Sequence, residues 1–274
     1  MHNAPIVECV ELSNEVSQAV ICSKGAYLLR WAVLGKDVVL PGNTDKPTWS
    51  GMAMLIPFAN RVKGGEYEFE GVRYSLPRNE EGHAIHGLVL NEEWNIESIS
   101  RGSASFKHVL RNPGYPTELT LTVKYALTGK ELNVDIITRN TGLKNAPLVV
   151  GAHPYFIVSN DWRLNAQGDV RMCEAVNKIP TGRLIPFNLS NTTKREFDDC
   201  FLINGDIILE SQYSTIRIIR YGMPYVQIFT GVPNAIAIEP MSGAPDAYHN
   251  GMGLIIIRPN EERRFRFTVK VLRV

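Results

Sequence analysis

The sequence predicts an all-β protein. Apolar and polar residues alternate with a period of two through most of the 274 residues, as they do in strands with one buried face. Short clusters of Gly, Pro, Asn and Asp separate these segments, as turns do. Hardly any stretch has the i, i+3, i+4, i+7 spacing of an amphipathic helix. Neither an internal repeat nor a linker divides the chain, so we expect one domain over residues 1 to 274.

The composition limits the classes of function. Lys and Arg together number 29 and Asp and Glu together number 28, which gives a formal charge of +1. This balance argues against a nucleic-acid-binding protein and against attachment to an anionic membrane, and it favours a neutral ligand. The first residues lack the features of a signal peptide, and no run approaches the roughly 18 apolar residues of a membrane span.

The four cysteines have neither the Cys-x-x-Cys spacing of a metal site nor the density of a secreted disulfide framework. A structural zinc site is therefore not expected. We expect reduced, mostly buried thiols in a cytoplasmic protein, at Cys9, Cys22, Cys173 and Cys200.

Hairpins are predicted in the first third of the chain. Residues 17 to 32 place apolar side chains on both sides of Gly25. Residues 66 to 76 alternate apolar and polar side chains on both sides of a Glu70-Gly71 turn, which is a strong hairpin signal.

The rest of the chain is again rich in strand patterns. Residues 94 to 140 predict a meander of long antiparallel strands, and residues 148 to 156 predict a strand buried on both faces. Residues 157 to 200 have little periodicity and are expected to be the least regular part. Further strands are predicted near residues 215 to 220, 225 to 230, 235 to 239, 254 to 257 and 265 to 271.

A loop with two histidines is predicted over residues 77 to 91. His83 and His86 are three residues apart, which could suit a metal ion if the segment were a helix. Gly82 and Gly87 oppose a helix, and no third ligand is near in sequence. A loop that contacts a sugar or an anion therefore fits better than a metal site.

Two apolar strands each end in a polar side chain followed by proline, at His153-Pro154 and at Glu239-Pro240. Proline donates no hydrogen bond to a sheet and holds the preceding residue extended, so each proline is predicted to end its strand. Glu239 is then expected half-buried, where a rigid scaffold meets a loop that could bind a ligand. The alternatives are a solvated strand terminus for Glu239 and a satisfied core residue for His153.

Several short motifs occur in a definite order: Asn60-Arg61, Gly64-Gly65, His86-Gly87, His153-Pro154-Tyr155-Phe156, Phe197-Asp198, and Glu239 seven residues before Asp246. Over roughly residues 50 to 260 this order resembles that of the aldose 1-epimerase, or galactose mutarotase, family. The resemblance implies a galactose mutarotase-like β-supersandwich of large, mostly antiparallel sheets packed face to face. It also implies a sugar site in an open cleft on one face.

The resemblance further implies roles for five residues. Glu239 matches the general base that takes the proton from the anomeric hydroxyl, and His153 matches the general acid that protonates the ring oxygen. Arg61, His86 and Asp198 match positions that hold sugar hydroxyls. The expected substrate is a free hexose, and neither a metal nor an organic cofactor is required.

The chain also departs from the family pattern. Asp199 and Cys200 follow Asp198 where many members have histidine, and Met241 stands where glutamine is common. The identity of the sugar is therefore left open.

Three alternatives follow from the same residues. A hexose-6-phosphate 1-epimerase would need basic side chains at the rim of the cleft, and the candidates are Lys63, Arg73 and Arg78. A glycoside hydrolase could use Asp198 and Glu239 as a carboxylate pair. A noncatalytic sugar-binding module would have no need of His153 and Glu239 together.

Overall fold

Two large antiparallel sheets make up most of the computed structural model, which describes residues 7 to 274. The 11-stranded sheet has the order β1-β2-β3-β5-β15-β23-β22-β19-β17-β18, with β4 paired to β3. Its strands, numbered in chain order, are β1 (Cys9–Ser13), β2 (Ser17–Cys22), β3 (Tyr27–Val33), β4 (Lys36–Asp37), β5 (Met52–Leu55), β15 (Gly151–Ile157), β17 (Val170–Val176), β18 (Ile179–Pro186), β19 (Asp198–Ile203), β22 (Tyr225–Phe229) and β23 (Ala235–Met241).

The 8-stranded sheet has the order β10-β11-β12-β13-β25-β21-β20-β16. Its strands are β10 (Asn95–Ile99), β11 (Ser103–Leu110), β12 (Leu119–Thr128), β13 (Glu131–Asn140), β16 (Arg163–Ala166), β20 (Ile207–Glu210), β21 (Thr215–Tyr221) and β25 (Glu262–Arg273). Three two-stranded sheets are formed by β6 (Arg61–Val62) with β9 (Ala84–Ile85), β7 (Glu66–Phe69) with β8 (Val72–Ser75), and β14 (Ala146–Leu148) with β24 (Ile255–Ile257). The helices are a 3₁₀ turn, Lys63–Gly65, and α1, Ala247–Asn250.

The main core lies between the two large sheets. Along β12 and β13 nearly every second side chain is buried, as expected for a strand with one face on a core. Phe106 and Val134 of the smaller sheet belong to the same apolar cluster as Trp31 and Ile238 of the larger one. The packing of large antiparallel sheets confirms the predicted all-β fold class.

The predicted hairpins are confirmed. β2 and β3 pair across Gly25, and β7 and β8 pair across a two-residue turn in which Glu70 and Gly71 both have positive φ. The meander predicted over residues 94 to 140 consists of β10 to β13.

The prediction that proline ends two strands is wrong. β15 continues through Pro154 to Ile157, and β23 continues through Pro240 to Met241. Residues beyond each proline still pair with the neighbouring strands, so the loss of one donor is tolerated within the ladder. Glu239 is consequently fully buried within a central strand rather than half-buried at its end.

Residues 157 to 200 are more regular than predicted, because they contain β16, β17 and β18. β17 and β18 form a hairpin whose turn is Asn177-Lys178, with φ values of 49° and 67°. Two positive φ values are characteristic of a type I′ turn. The turn contains no glycine, and this explains why no turn pattern marks it in the sequence.

The prediction that all four cysteines are reduced is wrong for two of them. Cys9 and Cys22 are direct partners in the β1–β2 ladder and form a disulfide. Because this hairpin was not recognised in the sequence, the pairing of its cysteines could not be anticipated. Cys173 and Cys200 are free and buried, as predicted.

Candidate active site

A cleft opens on the face of the larger sheet that points away from the main core. Its volume is about 440 Å³, within the range of small-molecule sites. Strands β15, β19, β22 and β23 contribute its floor, and loops and the β17–β18 turn contribute its rim.

His153 and Glu239 form the centre of the floor. The pairs Gly151 with Met241 and Tyr155 with Ala237 set the register of β15 against β23, and this register places His153 directly opposite Glu239. Nε2 of His153 contacts Oε1 of Glu239. The two residues are 4% and 1% exposed, so their interaction is screened by almost no water.

Gln227 and Asp198 continue the floor on the next two strands. Gln227 is the cross-strand partner of Glu239, and its Nε2 donates a hydrogen bond of 2.9 Å to Oδ1 of Asp198. The Gln227 side chain on β22 thus lies between Asp198 on β19 and Glu239 on β23.

Arg61 and His86 lie on the paired short strands β6 and β9 or directly after them. The Arg61 guanidinium donates to Oδ1 of Asn60 at 3.2 Å and to Oε1 of Glu81 at 2.9 Å. The ring of His86 meets that of His153 edge to face, with 5.1 Å between centroids. Burial lowers the pKa of His86 well below its usual range, and the charges of His153 and Arg61 act in the same direction. His86 is therefore a neutral imidazole at neutral pH.

An aromatic wall runs from the floor of the cleft to its mouth. The Tyr155 ring stacks on His153 with centroids 4.8 Å apart, and Phe229 meets Tyr155 edge to face. Trp49, which is 56% exposed, in turn meets Phe229 edge to face. Burial, and to a smaller extent Glu239, raise the pKa of Tyr155 above its usual range, so its hydroxyl stays protonated.

Several buried polar atoms in the cleft lack a hydrogen-bond partner anywhere in residues 7 to 274. They are Nε of Arg61, Nδ1 of His86, Nδ1 of His153, Oε1 of Gln227 and both carboxylate oxygens of Glu239, of which Oε1 has only the ion-pair contact with His153. Unpaired buried polar atoms are costly, and their concentration in one cleft indicates a polar ligand. An aromatic wall facing charged and amide groups suits a molecule that is apolar on one face and hydroxylated at its edge, as sugars are.

Comparison with known proteins agrees with this geometry. The family model described as aldose 1-epimerase matches residues 8–270. The chain belongs to the aldose 1-epimerase family. It is 27% identical to the uncharacterized protein YihR of Escherichia coli, over 96% of this chain and 92% of that protein. It is 28% identical to the galactose mutarotase of Homo sapiens, over 66% of this chain and 58% of that protein.

The solved structure of a GalM/aldose epimerase homologue from C. elegans has the same fold. Its TM-score is 0.87 at 18% identity, with coverage of 98% of this chain and 100% of that one. The predicted galactose mutarotase-like sandwich of antiparallel sheets is thereby confirmed. Within residues 7 to 274, no helix has the length and apolar character needed to cross a membrane.

All five residues to which the family resemblance gave roles line this one cleft: Arg61, His86, His153, Asp198 and Glu239. Their roles stay predictions. Sequence reasoning missed Trp49, Glu81, Lys178 and Gln227 as site residues, since each is a single residue outside any motif that could be recognised.

The other candidates lie elsewhere. Nδ1 of His83 accepts a hydrogen bond of 3.0 Å from the Gly64 amide rather than facing the cleft. The part of the chain that the structure describes has no group of three or more His, Cys, Asp or Glu side chains placed to hold a metal ion. Lys63, Arg73 and Arg78 do not line the cleft, and Arg78 instead pairs with Glu66 at 2.8 Å.

Proposed function

We propose that this member of the aldose 1-epimerase family interconverts the α and β anomers of a free hexose. The observation that carries the proposal is the buried contact between His153 and Glu239 at the floor of a cleft. A carboxylate and an imidazole within reach of the same ligand form an acid and base pair. A sugar-binding module would have no use for such a pair.

Ring opening needs two proton transfers. Glu239 takes the proton of the anomeric hydroxyl while His153 gives a proton to the ring oxygen, and the bond between that oxygen and the anomeric carbon breaks. The free aldehyde then rotates by half a turn about its bond to the next carbon. Reclosure on the other face, with the two residues exchanging roles, restores both protons and gives the other anomer. The reaction needs neither a metal nor an organic cofactor.

The remaining predicted residues hold the ring in place. The Arg61 guanidinium is a fixed donor, the Asp198 carboxylate is an acceptor, and the neutral His86 ring has one nitrogen of each kind. Such groups suit hydroxyls, which both donate and accept. Holding the ring in one orientation keeps the reacting oxygens near His153 and Glu239 and so contributes to the rate.

The charges of the cleft favour a neutral sugar over a phosphorylated one. Four carboxylates line it, those of Glu80, Glu81, Asp198 and Glu239, against Arg61, Lys178 and the proton-donating form of His153. A phosphate dianion would need a cluster of free cations. The glycoside hydrolase alternative also has less support, because the two carboxylates that it needs as a pair have other partners. Glu239 contacts His153, and Asp198 accepts a hydrogen bond from Gln227.

Polarimetry of freshly dissolved α-anomers tests the proposal. The protein should accelerate the return of at least one neutral aldose to its equilibrium rotation, and treatment with a chelator should leave that rate unchanged. Hexose 6-phosphates should react more slowly than the corresponding free sugars. If no aldose responds to the protein, the proposed function is wrong; release of reducing sugar from a glycoside would point to hydrolysis instead.

A further inference from the structure

The polar side of the cleft is a chain of alternating charges. Nη2 of Arg61 lies 2.9 Å from Oε1 of Glu81, and Oε2 of Glu81 lies 3.9 Å from Nζ of Lys178. Nζ of Lys178 in turn lies 3.3 Å from Oδ2 of Asp198. This series of charges connects Arg61 with Asp198, which hold sugar hydroxyls in the proposed function. The two residues between them, Glu81 and Lys178, have no assigned role.

The backbone fixes the position of Lys178. It is the second residue of the Asn177-Lys178 turn between β17 and β18, and its φ of 67° lies in the left-handed region. A two-residue turn between paired strands leaves its Cα little freedom. The ammonium group is held between the carboxylates of Glu81 and Asp198, and the side chain as a whole is 48% exposed at the cleft rim.

The neighbouring carboxylates leave Lys178 with a donor to spare. An ammonium group has three N–H donors; Asp198 lies 3.3 Å from Nζ, whereas Glu81 at 3.9 Å is an ion-pair partner too distant for a hydrogen bond. The hydrogen bond from Arg61 lowers the pKa of Glu81, so this carboxylate is ionised at neutral pH and anchors the ammonium. At least one donor is therefore available to a ligand in the cleft, which Lys178 lines.

We propose that Lys178 is a specificity-determining residue of the sugar site and donates a hydrogen bond to one ring hydroxyl. Asp198 accepts a hydrogen bond from the adjacent hydroxyl. A donor and an acceptor 3.3 Å apart match a vicinal diol, in which one oxygen can accept while its neighbour donates. The inference rests on the proposed function, since it names the part of the sugar that this side of the cleft recognises.

A purely structural role is the alternative. In this alternative, the ion pairs of Lys178 with Glu81 and Asp198 only hold the β17–β18 turn in place. Exposed ion pairs of this kind contribute little to stability. Such a role would affect all sugars equally. A direct hydrogen bond would instead affect only sugars that carry the contacted hydroxyl, and this difference separates the two explanations.

The experiment compares Lys178→Met with the wild-type protein on the best neutral aldose and on its monodeoxy analogues. Methionine keeps an unbranched apolar stem and removes the ammonium. We expect kcat/KM for the parent aldose to fall roughly 10-fold or more, mainly through KM, because a hydrogen bond to a charged group is lost. For the one analogue that lacks the contacted hydroxyl, kcat/KM should be nearly the same in both proteins. Lys178→Arg should restore part of the loss.

Lys194→Met is the matched control. Lys194 pairs with Asp199, the residue after Asp198, at 2.6 Å, but it does not line the cleft. This variant should leave kcat/KM unchanged for every sugar. Thermal unfolding of each variant establishes that it is folded before its kinetics are compared.

An equal loss for the parent and for every deoxy analogue, or no loss at all, would overturn the role of Lys178. Binding measured by calorimetry, with Glu239→Gln as the background, gives a second readout that needs no catalysis. If the wild-type protein accelerates no mutarotation, the proposed function fails. The Lys178 proposal is then decided by whether Lys178→Met weakens binding of the parent sugar and spares one analogue.

Discussion

Glu239 and His153 are among the few acidic and basic side chains that the fold buries, and each is the other's main polar neighbour. A buried charge is tolerated when it has a partner of opposite charge or a hydrogen bond. Replacement of either residue therefore changes the environment of the other. Kinetic effects at this pair should be interpreted jointly.

Glu239→Gln keeps the shape of the side chain and removes the base. In the proposed function it should lower kcat for mutarotation by about 10² to 10⁴, with a modest effect on KM. Polarimetry at saturating sugar measures this change. A rate close to that of the wild-type protein would mean that another residue accepts the proton.

His153→Asn should lower kcat by a similar factor, because in the proposed function the two residues act on one proton cycle. For the same reason, the variant that carries both changes should be little slower than either single variant. A double-mutant cycle on kcat decides this. Losses that add in log rate would instead indicate that the two residues work independently.

The site residues that could be predicted from the sequence lie in short motifs, whereas those that were missed do not. Family motifs flag Arg61, His86 and Glu239, because each has characteristic neighbours in the chain. Gln227 and Lys178 reach the cleft only through the register of β22 with β23 and through the β17–β18 turn. Register depends on pairing between distant segments, which short-range patterns do not contain.

Among the elements, the segment around Gly87 is tightly constrained next to the site. Its φ is 81°, and a Cβ there would lie 2.4 Å from the carbonyl oxygen of Ile56. Gly87 follows His86, so the close approach of two backbones determines where the imidazole enters the cleft. Only glycine permits this approach.

Gly87→Ala should therefore destabilise the protein by more than about 2 kcal/mol, since both backbone strain and a steric clash are introduced. Denaturant unfolding measures the change. Gly82→Ala is the control, because Gly82 has a similar φ of 80° but nothing within 4 Å of its added Cβ. The control should cost only about 1 kcal/mol; equal losses would show that the clash with Ile56 is relieved cheaply.

Another constraint comes from the loop after β23. The Asp246 amide donates to the carbonyl oxygen of Arg61 at 2.7 Å, and its Oδ1 accepts from the Lys63 amide at 2.8 Å. Oδ1 of Asp246 also lies 2.6 Å from Nδ1 of His249. Asp246 thus fastens the short strand β6, which carries Arg61, to this loop.

The hydrogen bond to Asp246 raises the pKa of His249 above its usual value near 6.5. A raised pKa in the folded state contributes stability that is present below the unfolded pKa and is lost as pH rises through the folded pKa. His249→Asn should therefore reduce the free energy of unfolding at about pH 5 to 6, where the folded protein holds His249 protonated beside Asp246. The substitution should have roughly no effect well above pH 7, where the imidazole is neutral. Urea unfolding over this pH range tests it. Asp246→Ala should destabilise at every pH, because it removes the acceptor of the Lys63 amide, and this hydrogen bond does not depend on His249.

Elements with strong local signals were predictable, whereas elements held by tertiary contacts were not. The hairpin with Glu70-Gly71 has a glycine at a positive φ, and its strands alternate clearly. The Asn177-Lys178 hairpin lacks a glycine, and β18 is largely exposed, so it has no clear apolar face. The prolines in β15 and β23 led to a wrong prediction of two strand ends. Each of these strands is paired with a neighbouring strand on both sides, and this pairing outweighs the local preference of one residue.

On the scale of the whole molecule, both large sheets contribute to one apolar core. The single domain predicted for residues 1 to 274 should accordingly unfold in one cooperative transition. Phe106→Ala in the smaller sheet should lower the free energy of unfolding by about 3 to 5 kcal/mol without splitting that transition. Calorimetry tests both statements. Two separated transitions would show that the sheets are independent units.

The position of His153 and Glu239, the proposed catalytic pair, within the larger sheet has a further consequence. β15 and β23 lie in the middle of the strand order, with paired strands on both sides. Amide protons in such strands exchange with solvent only when most of the fold opens, whereas loops and turns exchange through small local openings. Lys178 and Glu81 lie in a turn and a loop at the rim. In the proposed function, substitutions at the rim would thus retune the choice of sugar while the rigid floor that carries His153 and Glu239 keeps its geometry.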